Sequence, residues 1–199
     1  MVYIHFCVSG VLGTLGTHSP VTTREGEIAA TRSLERDVLL LANTLKAYPG
    51  AVVVIGNDWP FSYDLEKVRR ASRPFGQRVV NVVNTIGSTK EAAVLDFMEG
   101  RNDLFLIVAS NDYEFSELTV AQRIDVDHKS GFDEAARVQL EARLDALKED
   151  VTRPLSDDEV LRASVSRSAL RRARRYIAPM RAAEDLQFQR SLRSLMAGG

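Results

Sequence analysis

The chain has 199 residues, 45% of them hydrophobic and 27% charged, with a formal net charge of −1. That balance fits a globular domain able to bury a core without staples, and excludes a globally basic or acidic partner-binder. One cysteine excludes an internal disulfide framework and fits a reducing, cytoplasmic setting.

No stretch reaches the roughly 18–20 uninterrupted apolar residues that a membrane span requires, and no basic leader opens the chain. The charge is unevenly placed. Residues 1–150 hold 16 Lys/Arg against 22 Asp/Glu, a net of −6, while residues 151–199 hold 10 Arg against 5 acids, a net of +5. An acidic body with a basic tail follows.

Val2-Tyr3-Ile4-His5-Phe6-Cys7 opens the chain as an apolar strand running into the turn at Ser9-Gly10. Residues 13–26, rich in Gly, Thr, Ser and Pro, read as a loop over that strand end. Over residues 28–47, Leu34, Val38, Leu39, Leu41, Ala42 and Leu45 recur at helical spacing.

Ala51-Val52-Val53-Val54-Ile55 is a buried central strand that ends in Gly56-Asn57-Asp58-Trp59-Pro60. A short helix over 63–71 turns Leu65 and Val68 inward and Lys67, Arg69 and Arg70 outward. A third strand covers 78–83. Ser88 or Thr89 caps a helix to about residue 99, with Ala92, Ala93, Leu95, Phe97 and Met98 as its contacts.

The run from Leu104 to Ala109 is a fourth strand opening into Ser110-Asn111-Asp112, and Arg123-Ile124-Asp125-Val126-Asp127 alternates as a half-exposed fifth. A helix over 133–148 follows. Strands alternating with helices predict a doubly wound parallel sheet, with the turns after the first, second and fourth strands gathered on one edge. A domain of residues 1–148 is expected, then a helical extension over 149–199. It begins at a Ser156-x-x-Glu159 capping box, runs as helix to about residue 176 and turns back as a hairpin.

The order of the strand ends resembles the haloacid dehalogenase (HAD) superfamily, in particular its small bacterial branch. That branch opens with Asp-x-Asp-Gly-Val-Leu, and here the same frame reads Cys7-Val8-Ser9-Gly10-Val11-Leu12. Its second motif resembles Val53-Val54-Ile55-Gly56-Asn57-Asp58-Trp59, its third is matched by Lys90, and its fourth keeps one acid, Asp112. The segment Ile124 to Phe132 and its Ala-rich helix resemble the closing strand, turn and helix.

The resemblance covers roughly residues 1–148. It implies a HAD-like Rossmannoid three-layer α/β sandwich with a parallel central sheet. It also implies a hydrolase-like site in which the first aspartate attacks a phosphoryl group, the second is general acid and base, and magnesium is held by the first and by the fourth-motif acids. Cys7 and Ser9 stand at the nucleophile and acid/base positions.

Serine has no useful pKa near neutrality, and a thiol is too soft a ligand for magnesium. The implied protein is a pseudoenzyme that holds a small anionic or phosphorylated ligand through Gly10, Asn57, Asp58 and Lys90, or a protein partner, without turnover. Mg2+ would enter only weakly, at Asp112. Asp58 can instead belong to an Asx turn, and Asp112 and Glu114 can be loop acids.

Two readings of Cys7 stand: a small buried hydrophobe, or a thiolate nucleophile with His5 on the same strand face or Lys90 nearby to lower its pKa. The bland reading of His5 is a satisfied core histidine. The alternative for the site is an active hydrolase with rearranged residues drawn from Cys7, Asp58 and Asp112.

In the tail, Arg167, Arg171, Arg172, Arg174 and Arg175 would ring a helix. They suit nucleic-acid phosphates, an acidic partner, or the protein's own acidic body.

Overall fold

A computed structural model of the chain describes residues 1–7, 11, 24–57, 65–84, 88–110 and 114–165. Five strands, β1 (Val2–Cys7), β2 (Ala51–Asn57), β3 (Val79–Asn84), β4 (Leu104–Ser110) and β5 (Arg123–Val126), form one sheet in the order β3-β2-β1-β4-β5. Every pairing is parallel. The α/β fold expected from the alternation of strands and helices is thus observed, with β1 at its centre.

Parallel strands need crossover helices, and those helices bury both faces of the sheet. Val2, Ile4 and Phe6 of β1 point to one face, where they join Val53, Ile55, Val108 and Ile124. That face is covered by α1 (Arg24–Leu45), α2 (Leu65–Ala71) and α4 (Glu134–Ala146), through Leu41, Val68 and Leu140 among others. Tyr3 and Cys7 point to the other face with Val52, Val54 and Ile107, beneath α3 (Lys90–Met98) and α6 (Asp157–Ser164).

The helix α1 starts at Arg24, so residues 24–26 are helical and not part of the expected loop. Its buried side chains Val38, Leu41, Ala42 and Leu45 keep the i, i+3, i+4, i+7 spacing of a single stripe. Leu39 lies off that stripe and is 53% exposed, which corrects its expected place.

One element order departs from the expected domain plan. The short helix α5 (Glu149–Thr152) and α6 pack on the sheet, and the compact body runs from Met1 to Ser164. Gly50 donates its N–H to the Val151 carbonyl at 2.7 Å, and a Cβ on Gly50 would stand 2.5 Å from the Asp150 carbonyl oxygen. Val151 and Ala163 are buried. Residue 148 is therefore no boundary, because the segment after it closes the N-terminal edge and then covers β3.

The capping box forms as expected: Ser156 Oγ accepts from Glu159 N, and Glu159 Oε2 accepts from Ser156 N at 2.9 Å. The helix ends at Ser164, well short of residue 176. There Asn81 Nδ2 donates to the Ser164 carbonyl at 2.7 Å, satisfying a carbonyl that the helix terminus leaves open. Asn81 faces α6 because β3 carries a bulge between the positions paired with Val53 and Val54. Val165–Gly199 forms a second unit. The hairpin and arginine ring expected there lie outside the described residues.

Candidate functional site at the carboxyl edge of the sheet

Strand order reverses between β1 and β4, with β2 following β1 on one side and β4 reached only by the α3 crossover on the other. In open α/β sheets that switch point, at the carboxyl ends of the strands, is where ligands bind. Cys7 ends β1, Asn57 ends β2 and Ser110 ends β4, so three strand ends meet at this edge as the sequence predicts. Ser9, Gly10, Asp58 and Asp112 lie outside the described residues.

Cys7 is 3% exposed and pairs in register with Gly56 of β2. A Cβ on Gly56 would stand 3.5 Å from Cys7 Sγ, an ordinary contact distance, so the two positions lie directly side by side. Val54, Ile107 and Ala109 lie in the same apolar cluster, so Cys7 is a small buried side chain at the strand end.

His5 shares that face, but is not the satisfied core residue of the bland reading. It is 2% exposed, and among the described residues its Nε2 lacks a hydrogen-bond partner. The rings of Phe97 and Phe105 meet it edge-on at 5.3 and 6.1 Å. Burial first, and then the Arg101 charge, push its pKa down to about 3. A neutral imidazole carries no charge with which to lower the thiol pKa.

Lys90 is the sequence-predicted site residue with the most definite surroundings. It opens α3, where Thr89 Oγ1 accepts from Ala92 N as the N-cap. Its side chain is 6% exposed, and its Nζ lies 3.8 Å from Glu114 Oε1. The other oxygen of the same carboxylate accepts from the Lys90 backbone N–H at 3.0 Å.

Because α3 follows β3 and Glu114 follows β4, this contact ties two connections across the ends of the intervening strands β2 and β1. A second carboxylate braces it. Glu91 accepts from Thr119 Oγ1 at 2.6 Å and from Ser116 N at 3.1 Å. Burial raises its pKa, but those hydrogen bonds outweigh it and hold the group below the usual carboxylate range.

Sequence reasoning placed Lys90 here but took Glu114 for a loop acid, missed Glu91, and treated Ala92 and Leu95 as core. Ala92 is exposed and Leu95 is 39% exposed, whereas Lys90 and Glu91 are buried. The only signal available was the acid pair at 112 and 114 after β4.

Asp37 was also missed. It is fully buried and accepts from Arg36 Nε and Nη2 at 3.0 and 2.9 Å. Arg36 also donates to the Ser130 carbonyl, and the Phe132 N–H reaches the Val11 carbonyl at 2.7 Å. The turn after β5 is thereby joined to the exit of β1.

The residues described at this edge do not fit a magnesium ion. Cys7 offers a buried thiol where a hard oxygen is needed, and the Glu114 carboxylate already faces an ammonium. Among the described residues no group of three His, Cys, Asp or Glu side chains converges. No described helix is long and apolar enough to cross a membrane. Compared with protein-family models, with curated proteins and with solved structures, the chain gives no significant match.

Proposed function

We propose that the chain is a HAD-like pseudoenzyme that binds a phosphorylated or other small anionic ligand at the carboxyl edge of its sheet without hydrolysing it. The observation that carries this reading is the buried Lys90 ammonium at the start of α3, held beside Glu114 across the ends of β2 and β1. An ammonium and a helix N-terminus both favour an anion. Glu114 supplies an internal one, so an incoming phosphoryl group would take over the place of its carboxylate.

Cys7 supports the other half of the reading. A buried thiol at the end of β1 is too soft a ligand for magnesium, and neither Cys7 nor Ser9 supplies the aspartate that the resemblance calls for, which supports binding without hydrolysis. The test is a panel of phosphate monoesters assayed with Mg2+, alongside binding of inorganic phosphate to the wild type and Lys90→Ala. Loss in Lys90→Ala of a phosphate-binding event that Arg70→Ala/Arg73→Ala leaves in place, with no turnover, supports the reading. Turnover that disappears in Cys7→Ala supports an active hydrolase instead.

A further inference from the structure

Residues 67–78 hold Lys67, Arg69, Arg70, Arg73 and Arg78 and no acid, although residues 1–150 are acidic overall. These basic residues have different tasks. Arg78 turns inward and donates from Nη1 to the carbonyls of Tyr48, Pro49 and Ala51 at 3.1, 2.8 and 3.2 Å. It is used up in joining β3 to the start of β2.

Arg69 is fixed by Nε on the Val79 carbonyl at 2.8 Å and by Nη1 on Glu66 at 2.9 Å. Arg70 makes a 3.4 Å contact from Nε to the Glu66 carbonyl, and among the described residues neither Arg70 nor Arg73 joins an ion pair. Both are exposed.

Arg69, Arg70 and Arg73 line one cavity of about 610 Å³ with Glu66, Pro74, Gly76 and Gln77. Gly76 sets this arrangement, since a Cβ there would overlap the Arg69 carbonyl; its absence lets the turn after α2 press against the helix. The favourable interaction of cations with a helix carboxyl terminus accounts for Arg69 and Arg70 in the last turn of α2. It does not account for Arg73, which lies beyond the helix. The volume suits one small molecule, and guanidinium groups recognise phosphoryl oxygens in pairs.

We propose that this groove, at the end of β2 opposite the Lys90 edge, is a separate anion site that takes the phosphoryl group of a small phosphate ester. Its probes are adenosine 5′-monophosphate and inorganic phosphate, titrated calorimetrically into the wild type, Arg70→Ala/Arg73→Ala and Lys90→Ala. Binding of the monophosphate should persist in Lys90→Ala and, in that background, weaken about thirtyfold when Arg70→Ala/Arg73→Ala is added.

Arg70→Lys/Arg73→Lys keeps the charge but loses the planar fork, and should weaken binding severalfold. Because both side chains are exposed, circular dichroism of these variants should match the wild type. Tighter binding of the monophosphate than of inorganic phosphate would mark an ester as the ligand; equal binding would mark phosphate itself. Four results would overturn the assignment: unchanged binding in the double alanine variant, binding lost only in Lys90→Ala, no binding by the wild type, or binding to long polynucleotides alone. Loss confined to Lys90→Ala would leave the proposed carboxyl-edge site standing while removing this one.

Discussion

Glu114 holds both ends of Lys90: one carboxylate oxygen lies 3.8 Å from its ammonium and the other accepts from its backbone N–H at 3.0 Å. A single side chain thus caps the first turn of α3 and sets a negative charge where an anionic ligand would bind. Glu114→Gln should keep much of the cap while removing that charge. Phosphate affinity should rise about tenfold and stability should fall by about 1 kcal/mol, read by calorimetric titration and urea unfolding.

His5 predicts how stability changes with acid. Its folded pKa, about 3, lies below the 6.5 of an unperturbed histidine. Between these values the unfolded chain takes up a proton that the folded chain refuses, so stability falls as pH falls from about 6.5 toward 3. The loss from this residue should reach about 2 kcal/mol at pH 5. His5→Leu removes the proton site and should flatten this limb by that amount in urea unfolding at pH 7.5 and pH 5. An unchanged slope would mean that His5 is protonated in the fold.

Gly131 has φ +69°, and a Cβ there would overlap Asp37 Oδ2. Gly131→Ala should therefore cost about 2 kcal/mol or more from left-handed backbone strain and displacement of the buried carboxylate. A loss below about 0.5 kcal/mol in chemical denaturation would contradict the crowded geometry at this turn.

Asn81 is the polar link between β3 and the end of α6. Asn81→Ala should destabilise by about 1 kcal/mol, and hydrogen exchange should accelerate first in α6. Uniform acceleration across the sheet would instead show that α6 and the strands open together.

The strands were legible because Val52 to Ile55 and Leu106 to Ala109 are apolar on both faces, which only a covered parallel sheet requires. Lys90 was legible through its place at a helix start. Its partner was not, since Lys90 and Glu114 are distant in sequence and only the crossover brings them together. Asp37 and Glu91 escaped because local patterning assigns charged residues outward, while Thr119 holds Glu91 inside and Asp37 is paired with its neighbour Arg36, itself tied to the distant Ser130 carbonyl. The fate of residues 149–164 was equally non-local, depending on the backbone approach at Gly50 and on a bulge that turns Asn81 toward α6.

The central claim is binding without hydrolysis at the carboxyl edge. Its most direct test titrates inorganic phosphate into the wild type and Lys90→Ala, and assays the same samples for Mg2+-dependent release of phosphate from monoesters. With the arginine groove removed by Arg70→Ala/Arg73→Ala, saturable phosphate binding should remain and Lys90→Ala should weaken it at least about tenfold, with no phosphate released by any of these proteins. Sustained Mg2+-dependent turnover by the wild type, abolished in Cys7→Ala, would contradict it.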